Sequence, residues 1–297
     1  MRLIGDWDLP GHAGPVYALT CDYASKNLYS GGADGLVAEW DSLKGHPARA
    51  IARVPAAIYA LHRLPNSTQL YVGESSGRVY VLDLARKVLV RLLQAHQGAV
   101  FGLFSHPTES EGWSSGRDGH FVFWDTQGNE PYARLLISEA GLRGFALHPK
   151  GQRFLCAARD GCLYEIDRAT RQVQRQIPAD PELVFTVQYC PTSPLAASGG
   201  KSGILRLWNA DFQCVWEVSA HTYALNTLAW HPSGKWLATG GRDRLIHIWD
   251  VTQKVKRLTL TGHQRSVNAL LWLGPDTLVS AGDDGLVKIW HLEEADE

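Results

Sequence analysis

Several marks of a dedicated chemistry are missing from this sequence. No apolar run approaches the roughly eighteen residues that suggest a membrane-spanning helix, and the N-terminal "MRLIGDWDLPGH" lacks the apolar centre of a signal peptide. The expectation is a soluble, non-secreted chain of the cytoplasm, with the nucleus left open and no membrane partner. Neither sign of charge prevails: 29 basic against 30 acidic side chains give a net charge of −1, which removes any global attraction to nucleic acid. The five cysteines are odd in number and form no Cys-x-x-Cys pair, so neither a disulfide framework nor a zinc site is indicated and reduced, buried thiols are expected. His-Glu-x-x-His, a Walker-type Gly-Lys-Ser/Thr loop and a Gly-x-Ser-x-Gly elbow are all absent.

What the chain does have is 11 tryptophans, 29 glycines and a repeat, a composition that suits an all-β protein with many tight turns. The stretch "ATGGRDRLIHIWD", ending at Asp250, recurs as "YSGGADGLVAEWD", "WSSGRDGHFVFWD", "AASGGKSGILRLWN" and "VSAGDDGLVKIWH", with weaker copies "YVGESSGRVYVLD" and "LCAARDGCLYEID". The residue before each end is Trp40, Leu82, Trp124, Ile166, Trp208, Trp249 or Trp290, at spacings of 42, 42, 42, 42, 41 and 41. Segments such as "LVAEW" and "LIHIW" are period-two strands bounded by Gly/Asp turns.

With four copies also carrying a histidine 27 or 28 residues before the tryptophan, the sequence resembles the WD-repeat β-propellers along its length. The resemblance implies an all-β fold, a seven-bladed propeller of four-stranded antiparallel blades forming a single domain over 1–297. Repeat ends fall near 41, 83, 125, 167, 209, 250 and 291. The last repeat stops short of a fourth strand, and residues 2–9 are expected to complete blade 7 and close the ring.

The strong repeats align four polar sets: His12, Ser30, Asp34 and Trp40; His96, Ser114, Asp118 and Trp124; His221, Thr239, Asp243 and Trp249; His263, Ser280, Asp284 and Trp290. Any one set could be read as the Ser, His and Asp of a hydrolase. Four copies on a structural period argue instead for a task every blade shares. The family resemblance implies a tetrad, bonded from Trp through Ser/Thr and His to Asp, that pins the loop leading into a blade to the turn between its second and third strands. Blade 2 departs with Val54, Val72, Ser76 and Leu82, blade 4 with Ser138, Cys156, Asp160 and Ile166, and blade 5 with Asp180 and Ser202 beside Ser198 and Trp208. These blades are expected to rely more on packing and to have looser loops. His106, His148 and His231 each precede proline and read as turn residues, and nothing marks His247 as reactive.

Function is then sought in residues the scaffold does not require. Five residues after the tetrad histidine stand Tyr17, Tyr59, Phe101, Arg143, Phe185, Asn226 and Asn268, which the resemblance places around the channel mouth on the top face. Just before the turn aspartate stand Ala33, Ser75, Arg117, Arg159, Lys201, Arg242 and Asp283, which the resemblance places on the same face farther from the axis, so blades 3 to 6 are expected to present a basic arc beside the aromatics. Aromatic residues rimmed by arginine have the composition of an interface hot spot, and arginine holds carboxylate or phosphate bidentately. The expectation is a non-catalytic interaction scaffold, a monomeric ring able to sit in a larger complex, whose top face binds a protein or peptide with an acidic or phosphorylated segment. A propeller enzyme with a channel metal, lactonase- or lyase-like, would place Asp, Glu or His in the inner column, and none is there. A nucleic-acid-binding propeller is disfavoured by the short arc, by Asp283 and by the net charge. No cofactor, metal ligand or catalytic residue is expected.

Overall fold

The computed structural model describes residues 1–41 and 49–294. Their strands form seven four-stranded antiparallel sheets. In six of them chain order runs from the innermost strand outward, as in blade 3: Val100–Ser105, Glu111–Gly116, His120–Asp125 and Glu130–Leu136. Blade 7 takes Val267–Trp272, Thr277–Gly282 and Leu286–Glu293 from the end of the chain and Arg2–Pro10 from its beginning. Asp6 pairs opposite Trp290 and Leu9 opposite Val287. Each innermost strand packs on the next, and that of blade 7 packs on that of blade 1. The fold is a seven-bladed β-propeller whose ring is closed by the N-terminal strand, which removes two sheet edges at once.

The burial pattern explains the sequence pattern. In Leu36–Asp41, Leu36, Val37, Ala38 and Trp40 are all buried, because a blade is covered by a neighbour on both faces. The outermost strands face solvent, and in Gln172–Pro178 only Ile177 is buried. The apolar core is correspondingly divided into seven clusters, each spanning one junction between adjacent blades. Trp40, Trp124, Trp208, Trp249 and Trp290 each lie in the junction with the preceding blade. At the closure, the buried Lys288 pairs with Asp8 of the N-terminal strand and lies over the Trp290 ring.

Turn chemistry is equally regular. Six turns between second and third strands place a glycine in the left-handed region, at Gly35, Gly77, Gly119, Gly161, Gly203 and Gly285. A Cβ on Gly119 would come 1.9 Å from the Ser138 carbonyl oxygen, so the space forbids a side chain as well. The histidines before proline cap their turns: Nδ1 of His106, His148 and His231 accepts the backbone N–H of Glu109, Lys150 and Ser233, each at 3.1 Å. All five cysteines are free, three of them buried.

Candidate interaction face

The four aligned polar sets are bonded in one pattern. In blade 3, Trp124 Nε1 donates to Ser114 Oγ at 3.0 Å, His96 Nε2 lies 2.7 Å from that oxygen, and His96 Nδ1 lies 2.9 Å from Asp118. Trp40–Ser30–His12–Asp34, Trp249–Thr239–His221–Asp243 and Trp290–Ser280–His263–Asp284 repeat it with links of 2.7–3.1 Å. Each aspartate also accepts backbone N–H groups, from Gln97 and His120 in the case of Asp118. Burial alone would raise that carboxyl, but the bonds from His96 and the backbone hold it far below the usual carboxylate range. Asp34 and Asp243 are lowered for the same reasons. A hydroxyl held between an indole N–H and an imidazole, itself locked on a carboxylate, has no free geometry in which to attack a substrate.

The departing blades keep polar links that the sequence reading replaced with packing. In blade 4, Ser138 Oγ and Tyr164 OH donate to Asp160 Oδ2 at 2.6 and 2.7 Å. In blade 5 the carboxylate has moved to the incoming loop: Asp180 accepts Ser202 Oγ and the backbone N–H of Glu182 and Leu183, while Trp208 still bonds Ser198 at 2.8 Å. Blade 2 buries Glu74 completely, with Ser76 Oγ donating to Oε1 and Oε2 left without a partner. The equivalent position is glycine in the strong repeats, where a Cβ would fall 2.4 Å from His96 Nδ1 or 2.3 Å from His221 Nδ1. Glutamate fits only because Val54 has replaced the imidazole. The signal was a charged residue standing where the strong repeats have glycine.

The two columns lie at one end of the sheets. The start of each innermost strand pairs with the end of the second, as Val100 with Gly116 and Val16 with Gly32. In every blade the outer-column residue donates its backbone N–H two residues ahead of the inner-column one: Ala33 to Pro15, Ser75 to Ala57, Arg117 to Ala99, Arg159 to Gly141, Lys201 to Leu183, Arg242 to Ala224 and Asp283 to Ser266. The backbone is therefore satisfied at these positions, and the side chains are left to project.

Their fates differ. Tyr17 stacks on Tyr59 with ring centroids 4.8 Å apart, and Tyr59 meets Phe101 at 5.4 Å. The Arg143 guanidinium is clamped between Phe101 and Phe185, 4.3 and 5.0 Å from the two centroids. Burial, reinforced by Arg159 and Arg117, lowers its pKa to about 10. Its Nε is buried without a partner. The inner-column asparagines are consumed by the scaffold: Asn226 donates to the Val267 carbonyl at 3.0 Å, and Asn268 to the Val16 carbonyl at 3.1 Å and to Asp283 at 2.7 Å. In the outer column Lys201 pairs with Glu182. Among the described residues, no carboxylate lies within ion-pair distance of Arg117, Arg143, Arg159 or Arg242.

Two other places hold dense ionisable groups. A groove of about 880 Å³ beside blades 3 and 4 is lined by Arg153, Arg168, Arg171 and Arg175. Three of them are neutralised within it: Arg153 and Arg175 by Glu165, and Arg168 by Glu111. His221, Asp243 and His247 bring one ligand atom each within 4.8 Å of one another. His221 is engaged at both nitrogens and His247 Nδ1 bonds Thr259 at 3.0 Å, while the two rings lie 22° from parallel. Near-parallel rings do not aim their lone pairs at a common point, so this set fits a stack better than an ion.

The WD domain, G-beta repeat family matches residues 6–41, 172–209, 212–250 and 254–291. Among curated proteins, the chain is similar to Echinoderm microtubule-associated protein-like 3 of Mus musculus, 24% identical over 83% of this chain and 28% of that protein. It is 25% identical to the 66 kDa stress protein of Physarum polycephalum, over 96% and 47% of the two chains. It is 24% identical to Striatin-4 of Mus musculus, over 95% and 42%. The chain thus spans less than half the length of each of these three relatives.

Proposed function

We propose, from the premise that this chain belongs to the WD-repeat family, that it is a non-enzymatic interaction scaffold whose top face holds a protein or peptide partner through an acidic or phosphorylated segment. One observation carries the reading. Arg117, Arg143, Arg159 and Arg242 have no acidic partner among the described residues, although most arginines of the lateral groove do. A guanidinium stacked between two phenyl rings, with its Nε already dehydrated, has paid its rotamer entropy in advance and gains most from an incoming oxyanion. Tyr17, Tyr59, Phe101 and Phe185 supply the adjoining aromatic surface. Asn226, Asn268 and Lys201 take lesser parts, since each already donates to a group of the scaffold.

The tetrads leave no free nucleophile and the inner column offers no carboxylate or imidazole, which supports a scaffold over a channel-metal enzyme. None of the described residues forms a helix long and apolar enough to cross a membrane. The test replaces Arg117, Arg159 and Arg242 together by Glu and compares partners captured from cells with those of the wild-type ring. Partner recovery should fall at least tenfold, while the melting temperature stays within about 2 °C because Arg117 and Arg242 are exposed, Arg159 is half-buried without an ion-pair partner among the described residues, and such substitutions cost about 0.5 kcal/mol each. Unchanged recovery removes the proposal.

A further inference from the structure

Arg244 breaks the regularity of the turns. At the equivalent place six blades use a left-handed glycine, yet in blade 6 an arginine holds φ at 75°. Five of those glycines, Gly35, Gly77, Gly119, Gly161 and Gly203, also accept at their carbonyl a backbone N–H from the end of the outermost strand, namely that of Val54, Ala95, Ile137, Ala179 or Ala220. No corresponding bond reaches the Arg244 carbonyl among the described residues. The Gly285 carbonyl of blade 7 receives none either, so what sets blade 6 apart is the left-handed non-glycine residue itself, in a turn where glycine would remove the backbone cost outright.

The side chain does nothing for the fold that would offset this. Arg244 is exposed and, like Arg242 two residues before it, has no acidic partner among the described residues. Asp243 between them is turned inward, where His221 and the backbone N–H groups of Thr222 and Leu245 occupy its oxygens. The turn thus shows solvent two guanidinium groups and hides its carboxylate. A merely solvated arginine gains nothing from this backbone, whereas a charge-assisted contact to a ligand does.

We propose that Arg244, with Arg242, forms a second oxyanion grip on the top face, outward from Arg143, for a glutamate carboxylate or phosphoserine phosphate of the bound segment. The inference rests on the reading of the top face given above, and it adds a second point of contact, on the turn of blade 6.

The test measures binding of two labelled peptides, one alternating glutamate and glycine and one with phosphoserine in place of glutamate, to the wild-type protein, Arg244→Gly and Arg244→Asn. Asparagine tolerates the left-handed backbone without the charge. Both variants should bind about tenfold more weakly, the value of one charge-assisted hydrogen bond. Arg244→Gly should at the same time melt about 1–3 °C higher, through relief of the backbone cost. Preference between the peptides identifies which oxyanion is held. Full affinity in both variants overturns the inference and leaves the top-face reading standing, whereas a wild-type protein that binds neither peptide overturns the reading beneath it.

Discussion

Blade 6 and blade 2 reach the same four-stranded frame through opposite interiors. Blade 6 links His221, Thr239, Trp249 and Asp243 into one hydrogen-bonded chain, while blade 2 has Val54, Val72, Leu82 and Ser76 in those places and buries Glu74 alongside. Both third strands pair in register with their neighbours, Tyr80 opposite Val72 and His247 opposite Thr239. The tetrad is therefore one of several ways to fill a junction, beside the packing of blade 2 and the single-carboxylate links that Asp160 and Asp180 make in blades 4 and 5. A network that a blade can dispense with is a structural device, and chemistry specific to this protein lies elsewhere. Where blades 4 and 5 have lost tetrad members, Tyr164 and Ser202 supply substitute bonds; removing one member with no substitute leaves desolvated groups unpaired.

That contrast can be broken by single substitutions. Asp243→Ala should have the largest effect, about 2–4 kcal/mol in chemical denaturation, because it strands the buried His221 and the Thr222 and Leu245 N–H groups. A cost below about 1 kcal/mol would show that packing alone holds blade 6 as it holds blade 2.

Acid should produce a loss of similar size in a defined window. Burial, with Arg63 adding, lowers the His62 pKa from 6.5 to about 4, and burial, with His221 and Lys256 adding, does the same to His247. The unfolded chain binds protons to these imidazoles before the folded one does. Stability is therefore complete above pH 6.5 and falls as pH drops toward about 4, one histidine belonging to each of the compared blades. The lowered Asp243 carboxyl contributes stability above its unfolded value of 3.8, lost only as pH falls through the lower folded value. Denaturation curves against pH should become shallower between 6.5 and 4 in His62→Gln, with His247 supplying the remaining slope, and change only below that range in Asp243→Asn.

Thr239→Val comes next in size. It imports the blade 2 residue into blade 6 and leaves Trp249 Nε1 and His221 Nε2 without their shared oxygen, for about 1–3 kcal/mol. Glu74→Gln should be smallest, within about 1 kcal/mol of wild type, since one carboxylate oxygen already lacks a partner. Should Glu74→Gln cost as much as Asp243→Ala, blade 2 would own a polar network after all and the comparison would fail.

The architecture was legible because it is written periodically: the spacing of 42 and 41 residues, the GH/AH and WD positions, and the strand after residue 2 that lacks a blade of its own. The tetrad members were legible for the same reason, as polar residues recurring in phase. The substitutes were not. Tyr164 bonding Asp160, Asp180 exchanging places with a turn residue, and Glu74 entering the space of a lost imidazole each occur once, and a feature that occurs once has no period to reveal it. Arg244 stood in plain view in "GGRDRL", but the cost of its position lies in a backbone angle.

By itself the sequence determined the number of blades, the register of the turns and which residues fall in the two columns, because each follows from alternation and repeat spacing along the chain, while the closing strand came with the family resemblance. Only the tertiary structure decided which of their side chains are already paired. Lys201 meets Glu182, Asn226 and Asn268 meet carbonyls of the following blade, and Arg143 is held between Phe101 and Phe185 of the two flanking blades. Whether a charge is neutralised or exposed depends on side chains that ring closure brings within a few ångströms, and no local pattern along the chain records that distance.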